Sequence, residues 1–151
     1  MNRMFWVALV LVFVFVDVTF AEFMLAFIVG GLDLAAAYER AYGDLSFNDY
    51  WFFAAWRSLP YIALVLLAAL SSHSKARAGR CILWLLLVAL ALFHFYGYWV
   101  MQSPLFTDER TSSTAILAVI DIPLIALIYG TIGYVVCLIG YKIYGANRKS
   151  D

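Results

Sequence analysis

Four ionisable side chains interrupt the apolar runs of this chain: Asp17, Arg57, His94 and Asp121. Each stands inside a stretch such as FFAAWRSLPYIALVLL (residues 52–67) that otherwise suits hydrocarbon rather than water. A lone Asp or Arg deep in a bilayer costs about 2.5–3.5 kcal/mol or more. Two opposite charges that meet avoid much of that cost. Two chemistries are therefore open: an ion pair that locks helices together, or a titratable layer that passes ions or protons.

Depth along a helix helps to separate them. At ~1.5 Å per residue, Asp17 lies about 20 Å into its run, roughly 10 Å short of the far face of a ~30 Å core. Arg57 lies about 9 Å beyond the interfacial Trp51, entering from that same far face. His94 is as far into the third run as Asp17 is into the first, and Asp121 is roughly 10 Å into the fourth. One layer thus collects a group from each run. Asp17 and Arg57 are expected to pair, because consecutive runs form a hairpin and the small Ala54 and Ser58 let a backbone approach. Asp121 then needs His94, the other side of Arg57, or a proton. Pro60 and Pro123 follow the charges by three and two residues, and each frees a carbonyl one turn earlier, at Trp56 and Val119, which can take a hydrogen bond or hold a kink.

Each residue also has an ordinary reading. An intramembrane Asp–Arg pair often does no more than hold a bundle. His94, set between aromatics, suits a satisfied core position. Asp121 has the least structural explanation and is the best candidate for a functional carboxylate. Glu22 is close enough to the membrane surface to reach water.

The elements that must position these groups are helices in lipid. The chain has 151 residues, 66% hydrophobic and 13% charged, with a mean hydropathy of +0.89, well beyond the composition of a soluble domain. Four runs, roughly 4–29, 50–71, 81–101 and 114–140, are long enough to cross a bilayer, which predicts an all-α, four-helix transmembrane bundle over 1–142 and a polar tail or linker stub over 143–151. Arg3, then Lys75, Arg77 and Arg80, then Lys142, Arg148 and Lys149 flank one side. The connections on the other side carry Asp33, Glu39, Asp44 and Asp49 against Arg40, and Asp108 and Glu109 beside Arg110. The positive-inside rule puts both termini in the cytosol and the acidic connections in the lumen or exterior. The opening residues also resemble a signal peptide cut after Ala21, but apolar residues resume at Phe23 and run to Val29.

The first acidic connection has structure of its own. In LDLAAAYERAYG, Asp33 is a candidate cap, Gly43 a stop, and Leu34, Tyr38 and Tyr42 share a face, which predicts a short helix lying on the membrane surface. SFND, with Ser46 and Asp49, resembles a capping box that opens the second span. Tyr50 and Trp51, and Tyr96, Tyr98 and Trp99, mark interfaces. Ala126, Gly130 and Gly133 suit close helix contact, inside the bundle or with a partner in lipid.

Nothing in the sequence points to an enzyme. Cys81 and Cys137 form neither a C-x-x-C nor a zinc spacing, and both fall near the cytosolic side. There is no phosphate-binding glycine loop, no H-E-x-x-H and no G-x-S-x-G, so no catalytic, cofactor or metal site is expected. The formal net charge is zero, and no basic stripe offers a footprint for nucleic acid.

VFVDVTFAEF (14–23) together with FNDYWFFAAWRS (47–58), which set Asp17 and Arg57 forty residues apart, resembles the N-terminal four-helix domain of the TAP-like lysosomal peptide transporters, half-size ABC transporters. An Asp in the first span and an Arg in the second have this layout in that family, and correspond here to Asp17 and Arg57. The resemblance extends over about 1–142 in topology, but in residues only over the first two spans, so it implies nothing for His94 or Asp121. It implies an accessory domain that directs a transporter to lysosomes and recruits lysosome-associated membrane proteins, while a separate ABC core pumps peptides. No Walker motif and no core helices are present in this sequence. Two other classes fit the same residues: a small ion- or proton-coupled transporter using Asp121 and His94, and a free-standing membrane immunity or defence protein acting by helix contacts.

Overall fold

The computed structural model describes residues 3–70, 77–107 and 117–147. Lys75, Asp108, Glu109, Arg110, Arg148 and Lys149, which contribute to the expected orientation, lie outside the described residues.

The described chain is helical, in the order α1 (Arg3–Phe15), α2 (Val18–Ile28), α3 (Leu34–Tyr42), α4 (Phe47–Leu70), α5 (Arg77–Gln102), a 3-10 turn (Ser103–Leu105) and α6 (Ala118–Asn147). Three helices, α4, α5 and α6, are long and apolar enough to cross a membrane singly. The bent pair α1 and α2 makes a fourth if the two count as one span. The second to fourth spans match the expected runs to within a few residues, except that α6 continues through Asn147 into the stretch expected to be a tail.

α4 and α6 pack on one another and both meet α5. The buried side chains of α5 fall at Leu83, Leu87, Leu90, His94, Tyr98 and Gln102, a repeat of three and four that draws one stripe along the helix. Phe5, Tyr61, Leu64, Ala68, Leu83, Leu87, Leu90, Ala126 and Tyr134 form the larger core cluster. Gly130 and Gly133 turn towards Leu90 and Leu86 of α5, so these small residues serve the interior of the bundle. At the other end Gly97 lets α5 approach α6 so closely that a Cβ there would stand 3.0 Å from Ile122.

α3 packs against α2. Asp33 caps its N-terminus by accepting from the Ala36 amide at 2.9 Å. Gly31, at φ +64°, makes the turn into it, a conformation that costs other residues more. Arg40 then reaches in two directions: it meets Glu22 at 3.9 Å and lies 4.2 Å from the ring centre of Phe106, after the 3-10 turn. The Ser46–Asp49 capping box opens α4, with the Ser46 hydroxyl donating to Asp49 at 2.6 Å and accepting from the Asp49 amide at 3.1 Å.

The break in the first span is the main departure from expectation. The run over 4–29 is two helices, bent by 65° at Val16 and Asp17. α4 and α6 each continue as one helix through Pro60 and Pro123. The break in the helix therefore falls at an aspartate and not at a proline.

Candidate functional site: a capped helix break closed by a buried ion pair

Asp17 leaves the helical region at φ −127°, ψ 171° and becomes the N-cap of α2. One carboxylate oxygen, Oδ1, accepts the amide of Phe20, satisfying one of the free N–H groups at a helix start. The other, Oδ2, stands 3.5 Å from Nη1 of Arg57. Both side chains are buried, at 8% and 3% exposure. One aspartate thus ends a helix, starts the next and neutralises a cation from α4.

The charges also suit the two new helix ends. The negative carboxylate sits at the positive N-terminus of α2. The Arg57 guanidinium lies over the ring of Phe13, 4.8 Å from its centre, beside the last turn of α1 and its negative end.

Behind Arg57 the interior remains polar for two more layers. Tyr61 lies one turn further along α4, with its ring 5.8 Å from Phe13 and 5.5 Å from His94. The His94 ring is 5.9 Å from Tyr98. His94 is fully buried, and its Nδ1 is 2.8 Å from the Leu90 carbonyl. A carbonyl only accepts, so the proton belongs on Nδ1, and Nε2 of the neutral ring is an acceptor. That Nε2, the Tyr61 hydroxyl and Arg57 Nε and Nη2 have no protein hydrogen-bond partner. The set holds donors and an acceptor in one place but no activated nucleophile.

The structure brings Asp17, Arg57 and His94 into one cluster and leaves Asp121 out. Asp121 lies in the first turn of α6 and is exposed. The helix begins at Ala118, so Asp121 is only ~5 Å from its start, not roughly 10 Å inside. Asp121 therefore stands apart from the buried Asp17, Arg57 and His94, and a carboxylate at a helix N-terminus has a structural explanation in the macrodipole. Sequence reasoning missed Tyr61 and Tyr98 as members of the cluster. Tyr61 was marked by its i+4 spacing from Arg57, and Tyr98 by the same spacing from His94.

On its other side Asp17 borders a cleft of about 350 Å³ between the helix break, α3 and the start of α4. Phe15, Phe20, Phe23, Tyr42 and Tyr38 form a chain of neighbouring rings along it, with centres 4.9 to 6.5 Å apart. Tyr50 closes the far wall. Burial, then the nearby Asp17, Tyr38 and Tyr50, push the phenol of Tyr42 up to about 12, so it stays protonated at neutral pH. Among the described residues no three His, Cys, Asp or Glu side chains gather as a metal site would require. Cys81 and Cys137 are free and exposed.

No family model, no curated protein and no solved structure matches this chain.

Proposed function

We propose that this chain is a four-span, non-enzymatic interaction module of a membrane, whose outer faces recognise other membrane proteins. The observation that carries the reading is the mutual neutralisation of Asp17 and Arg57 inside the bundle. Charges held this way shape the fold and leave the lipid-facing surface apolar. That surface is broad: Phe52, Ile62 and Leu66 of α4, Leu85, Val88 and Leu92 of α5, and Ile128, Ile132 and Val136 of α6 all stand at least half exposed.

In its most specific form the module is the accessory domain of a peptide ABC transporter of the lysosomal type, with cytosolic termini, lysosome-associated membrane proteins as partners and pumping left to the transporter core. The support for that form is the residue resemblance around Asp17 and Arg57. The test is a tagged chain expressed in cells, followed by its localisation and by the membrane proteins that co-purify in mild detergent. Lysosomal residence with a stoichiometric membrane-protein companion supports the proposal. A chain that distributes through all membranes and purifies alone refutes it.

A second reading, ion- or proton-coupled transport, is favoured by the broken span, since discontinuous helices line the sites of many transporters. It loses Asp121 as an inner carboxylate. Reconstituted vesicles that take up no ion under a pH gradient would end it.

A further inference from the structure

The aromatic cleft beside Asp17 has the composition of a site for an organic cation. Phe20 and Phe23 of α2, Tyr38 and Tyr42 of α3 and Tyr50 of α4 line it, and no Lys or Arg takes part in the lining. The negative faces of aromatic rings attract cations, and quaternary ammonium groups above all. The Asp17–Arg57 pair is neutral as a whole but oriented: its carboxylate borders the cleft, and its guanidinium lies away from it, over Phe13. The cleft therefore sees the negative end. Its volume, about 350 Å³, is within the range of small-ligand sites.

The chemistry separates one ammonium from another. A primary ammonium needs hydrogen-bond acceptors when it leaves water. Each oxygen of Asp17 already has one partner, Oδ1 the Phe20 amide and Oδ2 Arg57, so the acceptors left to such a group are the remaining carboxylate lone pairs and the hydroxyls of Tyr38, Tyr42 and Tyr50, fewer than water offers. A trimethylammonium donates no N–H bond and needs only ring faces and a nearby negative charge. The mouth of the cleft indicates where such a group comes from. Val14 and Phe15 belong to the lining and are themselves about half exposed, and they end a stripe of exposed apolar residues, Val7, Val10 and Leu11, along α1. A hydrocarbon chain can lie along that stripe while its headgroup turns into the cleft.

We propose that this cleft binds the trimethylammonium headgroup of a phosphatidylcholine-type phospholipid from the leaflet on the α3 side. The inference is independent of the function proposed above. The experiment is native mass spectrometry of the purified chain with equal amounts of choline, ethanolamine and glycerol phospholipids of identical acyl chains. The choline lipid is expected to be retained about tenfold over the others. Tyr38→Leu and Tyr42→Leu, each on the surface helix, are expected to lower that preference about two- to fivefold per ring removed. A choline lipid carrying a photoreactive headgroup should cross-link to the segments 14–23 or 38–42 of the unmodified chain, a readout that needs no variant. Equal retention of all three lipids, cross-links confined to other segments, or an undiminished preference in both variants overturns the proposal. Displacement of the lipid by free choline at the same concentration overturns the lipid as its source.

Discussion

Removing the charge of Asp17 without removing its cap separates the two tasks of that residue. Guanidinium and carboxylate 3.5 Å apart, at an effective dielectric near 20, attract by about 4–5 kcal/mol. Both are more than nine-tenths buried, so water and salt screen them little. Losing one partner of such a pair costs about 3–5 kcal/mol, because the other is left charged in the interior. Asp17→Asn keeps a side-chain oxygen for the Phe20 amide and should destabilise by about 3 kcal/mol. Asp17→Ala loses the cap as well and should cost about 1 kcal/mol more. Arg57→Met should cost about as much as Asp17→Asn, and the double variant Asp17→Asn with Arg57→Met should recover about 2–3 kcal/mol of the summed loss. Charge reversal is a poorer test than it looks from the sequence. An Arg at position 17 cannot accept the Phe20 amide and would set a cation at the positive end of α2. Unfolding free energies in mixed micelles, followed by the fluorescence of the five tryptophans, measure all four variants. Losses that simply add, to within about 0.5 kcal/mol, would show that the two charges do not interact. Equal losses in Asp17→Asn and Asp17→Ala would remove the cap from the explanation.

Gly97→Ala drives a methyl group against three carbons of Ile122 and should cost about 1–3 kcal/mol, with Ile122→Val returning part of it in the same unfolding assay. Gly31→Ala has open space around its Cβ but keeps φ +64°, so it should cost about 1 kcal/mol from backbone strain alone, and Gly31→Asn less. Asp121→Asn should change stability by less than about 1 kcal/mol, since the carboxylate is exposed in the first turn of α6, and it should leave the interior unaltered when tryptophan spectra are compared. Cys81 is exposed next to Arg80 near the start of α5, whereas Cys137 is exposed among Val135, Val136 and Ile139 on the apolar face of α6, so in detergent without denaturant Cys81 should react with maleimide faster than Cys137, as intact-mass measurement over time would show.

The long helices are legible in the sequence because in lipid a backbone must satisfy itself, and runs of some twenty apolar residues leave little other choice. α3 is legible from its cap, its stop and its stripe: Asp33 accepts from Ala36, and the helix ends before Gly43. The approach of Asp17 to Arg57 follows from depth and charge. The break is not legible in the same way. An aspartate inside an apolar run announces a cost but not how the chain meets it, and with no Gly or Pro nearby, continuity of the helix is the natural reading. The clue is the local order VDVTF, in which a carboxylate stands three residues ahead of an amide it can cap. Asp121 is the reverse case: the apolar run around it starts near 114, but the described helix begins later, at Ala118, and an apolar run does not mark where a helix starts.

The bend at Asp17 also sets how tall a wall each flank of the bundle offers to hydrocarbon. Unbent, the residues from Arg3 to Ile28 would stretch ~39 Å. With α2 turned by 65°, their reach measured along α1 falls to ~27 Å, against ~36 Å for the 24 residues of α4. Were α1 and α2 one membrane span, acyl chains beside it would meet a lower barrier than those beside α4, and a bilayer of uniform thickness would have to thin on one side or the bundle to lean. Either response would make the molecule sensitive to membrane thickness from one direction only, so that thick, sterol-rich bilayers should press hardest on the flank where the chain is folded over.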